Sequence, residues 1–312
     1  MYIPYIPNVI GERSAHWLRL FQKLMPEHQV SYLSDLPETE QANCEVAIVA
    51  NPSLQQLTGL PNLKWLHSTW AGIEQVLPVA RERGVPLVRM QDPKLAQVMA
   101  EAVLTWSLFL YRRIPCYQRQ QRQRQWQQLA LPDYQNFTIA ILGMGNMGIA
   151  SCLLLQQVGF RVVGWGRSAK EQMPCAYYYG REQLDEVLQT ADIVVILLPL
   201  TQDTHHLLAS EQVAKMKNGA SIINFGRAAI VQYQALSTAL TGGKLYHAVL
   251  DVFQQEPLSS ESEEWQLPHA TILPHVAAPT NPHTSAQIIA DNIDAYCKHG
   301  VIPATVDLQK GY

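Results

Sequence analysis

A run of glycines at fixed spacing, Gly143-Met144-Gly145-Asn146-Met147-Gly148, lies between the apolar segment 137–142 and an apolar stretch that continues through Leu153 and Leu154. Glycines at this spacing also occur by chance. A strand before them and a helix after them are what make the run a dinucleotide-binding motif. Gly143 permits the tight turn, Gly145 lets backbone approach a diphosphate, and Gly148 lets the helix press onto the strand. Amides at the helix N-terminus then offer hydrogen bonds and positive dipole to the phosphates.

The next apolar run ends at Val162-Val163-Gly164-Trp165, where an acid that accepts a ribose 2′-hydroxyl is expected, about twenty residues into such a motif. The chain instead reads Gly166-Arg167-Ser168, with Lys170 close behind. An arginine pairs bidentately with a phosphate, and Ser168 can donate a further bond. Exposed loop arginines are common. The missing acid and the gained arginine together point to NADPH (NADP) in preference to NADH.

Three later segments carry groups that could move a proton or hold an anion: Asn224-Phe225-Gly226-Arg227, Leu250-Asp251-Val252-Phe253-Gln254-Gln255-Glu256-Pro257-Leu258, and Leu273-Pro274-His275-Val276-Ala277-Ala278. Each follows an expected strand, at the carboxyl edge where open α/β sheets bind ligands. Singly they are weak signals. One histidine among ten is more often structural, and an arginine after a strand often only pairs with a nearby carboxylate. Their succession after a complete dinucleotide motif is far more specific.

Holding these groups in place calls for alternating strands and helices, hence an α/β fold with parallel sheets. Strands are expected over 2–6, 29–33, 46–50, 64–68 and 87–90, with a helix over 13–25 and short helical pieces after Pro52 and Gly72. Pro93 suits the first position of a long helix, where its missing N–H would be unpaired anyway. Leu95, Val98, Met99, Ala102, Val103, Trp106 and Leu110 then recur at helical spacing. The segment 111–128 contains Arg112, Arg113, Arg119, Arg122 and Arg124. It reads as a solvated helix or subunit contact more readily than as a nucleic-acid patch, because its glutamines are uncharged and only Tyr117 and Trp126 offer aromatic faces. From Phe137 on, strands are expected over 138–142, 161–165, 193–197, 221–224, 246–250 and 271–273. Helices are expected over 146–158, 183–189, 211–216, 233–240 and 283–298, the last stopped by Gly300.

A chain of 312 residues exceeds what one core usually supports, so two domains are the default. Apolar residues form 47% and charged residues 16%, a globular composition. A net charge of −3 argues against a nucleic-acid partner. No basic-then-apolar leader is visible, and the longest strongly apolar run, 193–200, is too short for a bilayer and contains Pro199. The five cysteines are scattered without a CxxC pair, so neither a disulfide framework nor a metal site is expected, and a cytoplasmic location is.

Taken together, these segments resemble the D-isomer-specific 2-hydroxyacid dehydrogenase family, and within it the short bacterial glyoxylate/hydroxypyruvate reductases. The likeness runs from Ser68-Thr69-Trp70-Ala71-Gly72-Ile73 to the final helix. It implies two Rossmann-like or flavodoxin-like domains with doubly wound parallel sheets. The cofactor domain, 101–278, would be inserted into a substrate domain made of 1–100 and 279–312, and closure of the two would exclude water. The resemblance makes Arg227 the group that binds the substrate carboxylate and polarises the keto oxygen, His275 the general acid–base, and Glu256 the partner that orients it. Asp251 would contact the nicotinamide carboxamide. Trp70, Ala71 and Gly72 would serve the substrate, and Leu198, Pro199, Phe225, Gly226 and Ala277 would join the cofactor contacts. Hydride attack on a keto group builds negative charge on oxygen, so a fixed cation and a proton donor must both face it. The family also implies a homodimer acting on a small 2-keto or 2-hydroxy acid.

Three positions depart from the family pattern: Ala228 follows Arg227 where glycine is common, His247 replaces a glycine ahead of Asp251, and Glu74 replaces an aspartate. They leave the shape of the substrate pocket open. Two alternatives stand beside the reductase reading: a nucleotide-sensing corepressor of low activity, and a dehydrogenase for a larger keto acid. Formate dehydrogenases pair their histidine with glutamine, so Glu256 speaks against that branch.

Overall fold

Val46-Ala47-Ile48-Val49 and Ile193-Val194-Val195-Ile196 are buried at every position. Such runs suit strands of a parallel sheet covered by helices on both faces. The computed structural model describes residues 1–309; residues 310–312, part of the expected C-terminal portion 279–312, lie outside the described residues. Two compact units form, one from Met1–Asp92 with the chain from Thr280 on, the other from Pro93–Pro279.

The first unit runs β1 (Tyr2–Ile6), α1 (Glu12–Leu24), β2 (Gln29–Tyr32), α2 (Glu38–Gln41), β3 (Val46–Val49), α3 (Leu54–Thr58), β4 (Trp65–Ser68), α4 (Val76–Arg83) and β5 (Leu87–Val88). Its strands form one parallel sheet in the order β2-β1-β3-β4-β5. On one face Trp17 and Phe21 of α1 meet Ile289 and Ile293 of the C-terminal helix, and on the other Leu57, Leu60 and Val76 cover the sheet.

The second unit runs α5 (Pro93–Tyr111), α6 (Ile114–Gln123), β6 (Thr138–Leu142), α7 (Asn146–Val158), β7 (Arg161–Gly166), β8 (Ala176–Tyr179), α8 (Gly180–Thr190), β9 (Ile193–Ile196), α9 (Ser210–Lys215), β10 (Ala220–Asn224), α10 (Tyr233–Thr241), β11 (Leu245–Leu250) and β12 (Ala270–Ile272). The chain then returns to the first unit through α11 (Pro282–His299). The seven strands are parallel in the order β12-β11-β10-β9-β6-β7-β8. Strand order reverses at β6, the switch point where doubly wound sheets bind ligands beyond their carboxyl ends.

Helix α5 lies within the second unit from its first residue, whereas the sequence set the boundary at 101, inside this helix. The reason is packing: Met99, Val103 and Leu110 share an apolar cluster with Cys152 and Leu155 of α7. Strand β8 has no counterpart among the expected strands. It is a short, half-exposed edge strand, so its aromatic residues lack the fully buried pattern of its neighbours. The Arg/Gln-rich segment is helical only to Gln123. Arg124 takes a left-handed conformation at the helix end, and Trp126 beyond it is 99% exposed.

Two buried histidines predict an acid-sensitive fold. His67 makes contacts to the Ser68 carbonyl (3.0 Å) and Asn292 Nδ2 (2.9 Å), and burial lowers its pKa to about 4. His247 Nε2 lies 2.9 Å from Thr271 Oγ1, and burial, with the charges of Arg119 and His269, lowers it to about 4. Both depart downward from the ordinary 6.5, so between about 4 and 6.5 the unfolded chain binds more protons than the folded one. Stability should therefore hold above that window and fall as pH drops through it, by about 2–3 kcal/mol per histidine. Urea midpoints measured across the window check this, and a His67→Gln variant should lose less of its own stability on acidification.

Candidate active site

The glycine run occupies the turn from β6 into α7. Gly143 adopts φ 111°, and a Cβ there would lie 2.8 Å from the carbonyl carbon and oxygen of Leu197. A Cβ on Gly148 would run into the carbonyl oxygen of Gly143. Side chains at either position would wedge the helix start off the strand end. Asn146 and Met147 open α7, with Gly145 as its cap residue. This cradle of bare backbone at a helix N-terminus fits a dinucleotide diphosphate.

Beyond β7, Arg167, Ser168 and Lys170 are exposed. Lys170 Nζ donates to the Met144 carbonyl at 2.9 Å, and the Tyr177 hydroxyl donates to the Ser168 carbonyl at 2.8 Å. These bonds tie the Arg167 loop to the glycine turn on one side and to β8 on the other. Arg167 Nη1 lies 3.4 Å from Asp203 Oδ2. After β9, Leu198 is buried and the Pro199 carbonyl accepts from the Thr204 hydroxyl at 2.7 Å.

Adjacent strands β10, β11 and β12 deliver the other candidates at their carboxyl ends. Asn224 braces the turn after β10: its Oδ1 accepts from Gly226 N at 3.1 Å and its Nδ2 donates to the Arg227 carbonyl at 3.1 Å. Arg227 Nη1 donates to the Gly226 carbonyl at 2.8 Å, while Phe225 is buried beneath. Asp251 accepts from Val276 N (2.7 Å) and Ala277 N (2.8 Å), one bond on each oxygen. Burial raises its pKa, and these two amides pull against that shift. The family resemblance implies a cofactor contact for Asp251. The fold uses both its oxygens to hold the backbone next to His275, leaving further lone pairs on each.

Glu256 and His275 meet directly. Oε2 of Glu256 is 2.6 Å from His275 Nδ1, and Oε1 accepts from Phe253 N at 2.8 Å. The carboxylate is thus fixed on one side and fixes the imidazole on the other, an arrangement in which Nε2 is the nitrogen that could exchange a proton with a bound molecule. His275 sits at φ 54°, a left-handed conformation uncommon for a residue with a Cβ and frequent at functional sites.

Trp70, Ala71 and Gly72 belong to the first unit, and all the other candidates to the second. Trp70 N donates to Ser68 Oγ at 3.0 Å, and the Arg13 guanidinium lies 5.5 Å from the Trp70 ring centroid. Ala71 and Gly72 lie outside helix and strand. Four residues of the site have no assigned role in the sequence reading: Asn224, Phe253, Asp203 and Arg181. Asn224 had a local signal, a polar residue closing the apolar run Ile222-Ile223 just before Arg227. The others act through backbone groups or distant partners. Among the described residues no group of three or more His, Cys, Asp or Glu side chains could hold a metal ion, and no helix is long and apolar enough to cross a membrane.

Residues 104–277 match the family described as D-isomer specific 2-hydroxyacid dehydrogenase, NAD binding domain. The chain is 31% identical over 307 residues to glyoxylate/hydroxypyruvate reductase A of Salmonella newport (strain SL254), covering 96% of each protein. It belongs to the D-isomer specific 2-hydroxyacid dehydrogenase family. The crystal structure of such a dehydrogenase from Xanthobacter autotrophicus Py2, in complex with NADPH and MES, superposes with a TM-score of 0.91 at 31% identity, over 99% of both chains. The NADPH-dependent glyoxylate/hydroxypyruvate reductase of Sinorhizobium meliloti, in complex with NADP and sulfate, matches with a TM-score of 0.87 at 28% identity, over 100% of this chain and 99% of that one. The two parallel sheets are those of a 2-hydroxyacid dehydrogenase, an NAD(P)-dependent oxidoreductase.

Proposed function

We propose that this dehydrogenase reduces a small 2-keto acid of the glyoxylate/hydroxypyruvate class, with NADPH preferred over NADH. The contact between Glu256 and His275, 2.6 Å long and braced by Phe253 N, carries the catalytic half of this reading. The names of the relatives support the substrate class, and the NADPH and NADP in the related structures support the cofactor. When bound, the nicotinamide supplies the hydride. Gly143, Gly145, Asn146, Met147 and Gly148 hold the diphosphate, and Arg167, Ser168 and Lys170 take the 2′-phosphate. Leu198, Pro199, Phe225, Gly226, Asp251 and Ala277 complete the cofactor contacts. His275 gives its proton to the keto oxygen, Glu256 holds the ring, and Arg227 binds the carboxylate while offsetting the charge that develops on oxygen. On the first unit, Trp70-Ala71-Gly72 is the substrate-binding segment. The same reading places the protein in the cytoplasm as a homodimer, with the Arg/Gln-rich segment and its exposed Trp126 as the candidate contact.

The cofactor half is tested by Arg167→Ala. Loss of a charge-assisted pair to phosphate should raise the Kd for NADPH by about 10–100-fold and that for NADH by no more than about threefold. Titration of both nucleotides into both proteins measures this. Equal weakening of the two would remove the NADPH assignment.

A further inference from the structure

The end of β7 carries Arg167 where an NADH-specific protein would carry an acid, yet the fold brings an acid to that arginine from elsewhere. Asp203 lies 36 residues further along the chain, and its Oδ2 is 3.4 Å from Arg167 Nη1. It sits on a braced turn. Thr201 N donates to Thr204 Oγ1 at 2.8 Å, Thr204 N donates back to Thr201 Oγ1 at 3.3 Å, and Thr204 Oγ1 donates to the Pro199 carbonyl at 2.7 Å. Arg181 Nη2 adds a bond to the Asp203 carbonyl at 3.2 Å. The turn that presents the carboxylate is therefore held by four contacts that do not involve the carboxylate itself.

We propose that Asp203 is a specificity-determining residue that sets how strongly NADPH is preferred over NADH. It competes with the 2′-phosphate for Arg167, and with NADH it supplies the carboxylate that accepts the free 2′-hydroxyl. This rests on the NADPH reading above. Two physical points carry it. The side chains are 46% and 66% exposed and meet at 3.4 Å, so the ion pair is weak and Arg167 can exchange it for a phosphate. Once that exchange occurs, the carboxylate remains on its braced turn as a like charge near a phosphate, which costs binding energy. Without the phosphate, the same carboxylate is an acceptor of the kind that ribose-binding acids provide. Lys170 and Arg181 keep their charge while donating to the backbone carbonyls of Met144 and Asp203, so they reduce this repulsion, and the carboxylate sets how much of it remains.

The test is Asp203→Asn, which keeps the side-chain shape and the carbonyl used by Arg181. NADPH and NADH are titrated separately into wild type, Asp203→Asn and Arg167→Ala, with Kd as the readout. Removing the carboxylate should tighten NADPH by about 3–10-fold and weaken NADH by about 2–5-fold, opposite shifts that a merely structural role for Asp203 would not produce. A ratio of the two Kd values within about twofold of wild type overturns the role of Asp203. Asp203→Ser gives a second reading should the asparagine variant fold poorly. If Arg167→Ala is selective for NADPH while both Asp203 variants leave the ratio unchanged, only this inference fails. If Arg167→Ala weakens both nucleotides equally, the underlying NADPH assignment fails with it.

Discussion

Replacing His275 with glutamine should lower kcat for keto-acid reduction by about 10²–10⁴-fold, the range a positioned general acid contributes, while the Kd for NADPH stays near wild type. The split between kcat and cofactor affinity follows from the geometry. Nδ1 of His275 is committed to Glu256 at 2.6 Å, so the ring has one nitrogen left with which to serve the reacting oxygen. Glutamine keeps a polar group of similar reach but cannot cycle between donor and acceptor of a proton. Glu256→Gln should give a smaller loss, because an amide can still meet Nδ1 but lacks the charge that complements an imidazolium. A His275→Gln protein that keeps near-normal turnover would end the acid–base role. NADPH titration of the same sample separates that outcome from misfolding.

Arg227→Ala should lower kcat/KM by about 10²–10³-fold, as expected for removing a preorganised group aimed at developing negative charge. Part of the effect belongs in KM, since a bond to the substrate carboxylate is made equally in ground and transition states. The part that stabilises the developing oxyanion belongs in kcat. Arg227→Lys should recover little of either, because a single ammonium cannot reproduce the planar fork. The fold braces the backbone that carries this side chain: Asn224 accepts from Gly226 N and donates to the Arg227 carbonyl, at 3.1 Å each. Steady-state kinetics over a range of keto-acid concentrations distinguishes the two parts. An Arg227→Ala protein with unchanged kcat/KM would remove the residue from the site.

The strands that place these groups were legible because burial leaves a plain mark on them. Thr138–Leu142 and Ile193–Ile196 are buried at every position, so their apolar runs stand out between polar stretches. Ala176–Tyr179 left no such mark, since an edge strand exposed on one side needs no continuous apolar run. Within the proposed site, Arg227, Glu256 and His275 stood out as candidates from the segments around them, and their proposed roles from the family resemblance. Their supports were less so. Phe253 contributes only a backbone N–H to Glu256, and any non-proline residue carries one. Asp203 reaches Arg167 from a different strand end, a contact set by sheet order, which periodicity along the chain does not encode. The start of α5 in the second unit was obscured for a similar reason: its apolar stripe shows that the helix packs, and only the fold shows that α7 is what it packs on.

The central claim is the reaction itself, and the most direct measurement is the rate at which the purified protein consumes NADPH with glyoxylate, hydroxypyruvate, pyruvate or phenylpyruvate, repeated with NADH. The roles proposed for Arg227, Glu256, His275 and Arg167 predict turnover of glyoxylate or hydroxypyruvate with a higher kcat/KM for NADPH than for NADH, and membership of the D-isomer specific family predicts the D-hydroxy acid as product from hydroxypyruvate. Tight NADPH binding with no consumption on any of the four acids would contradict it and leave a nucleotide-sensing protein in its place.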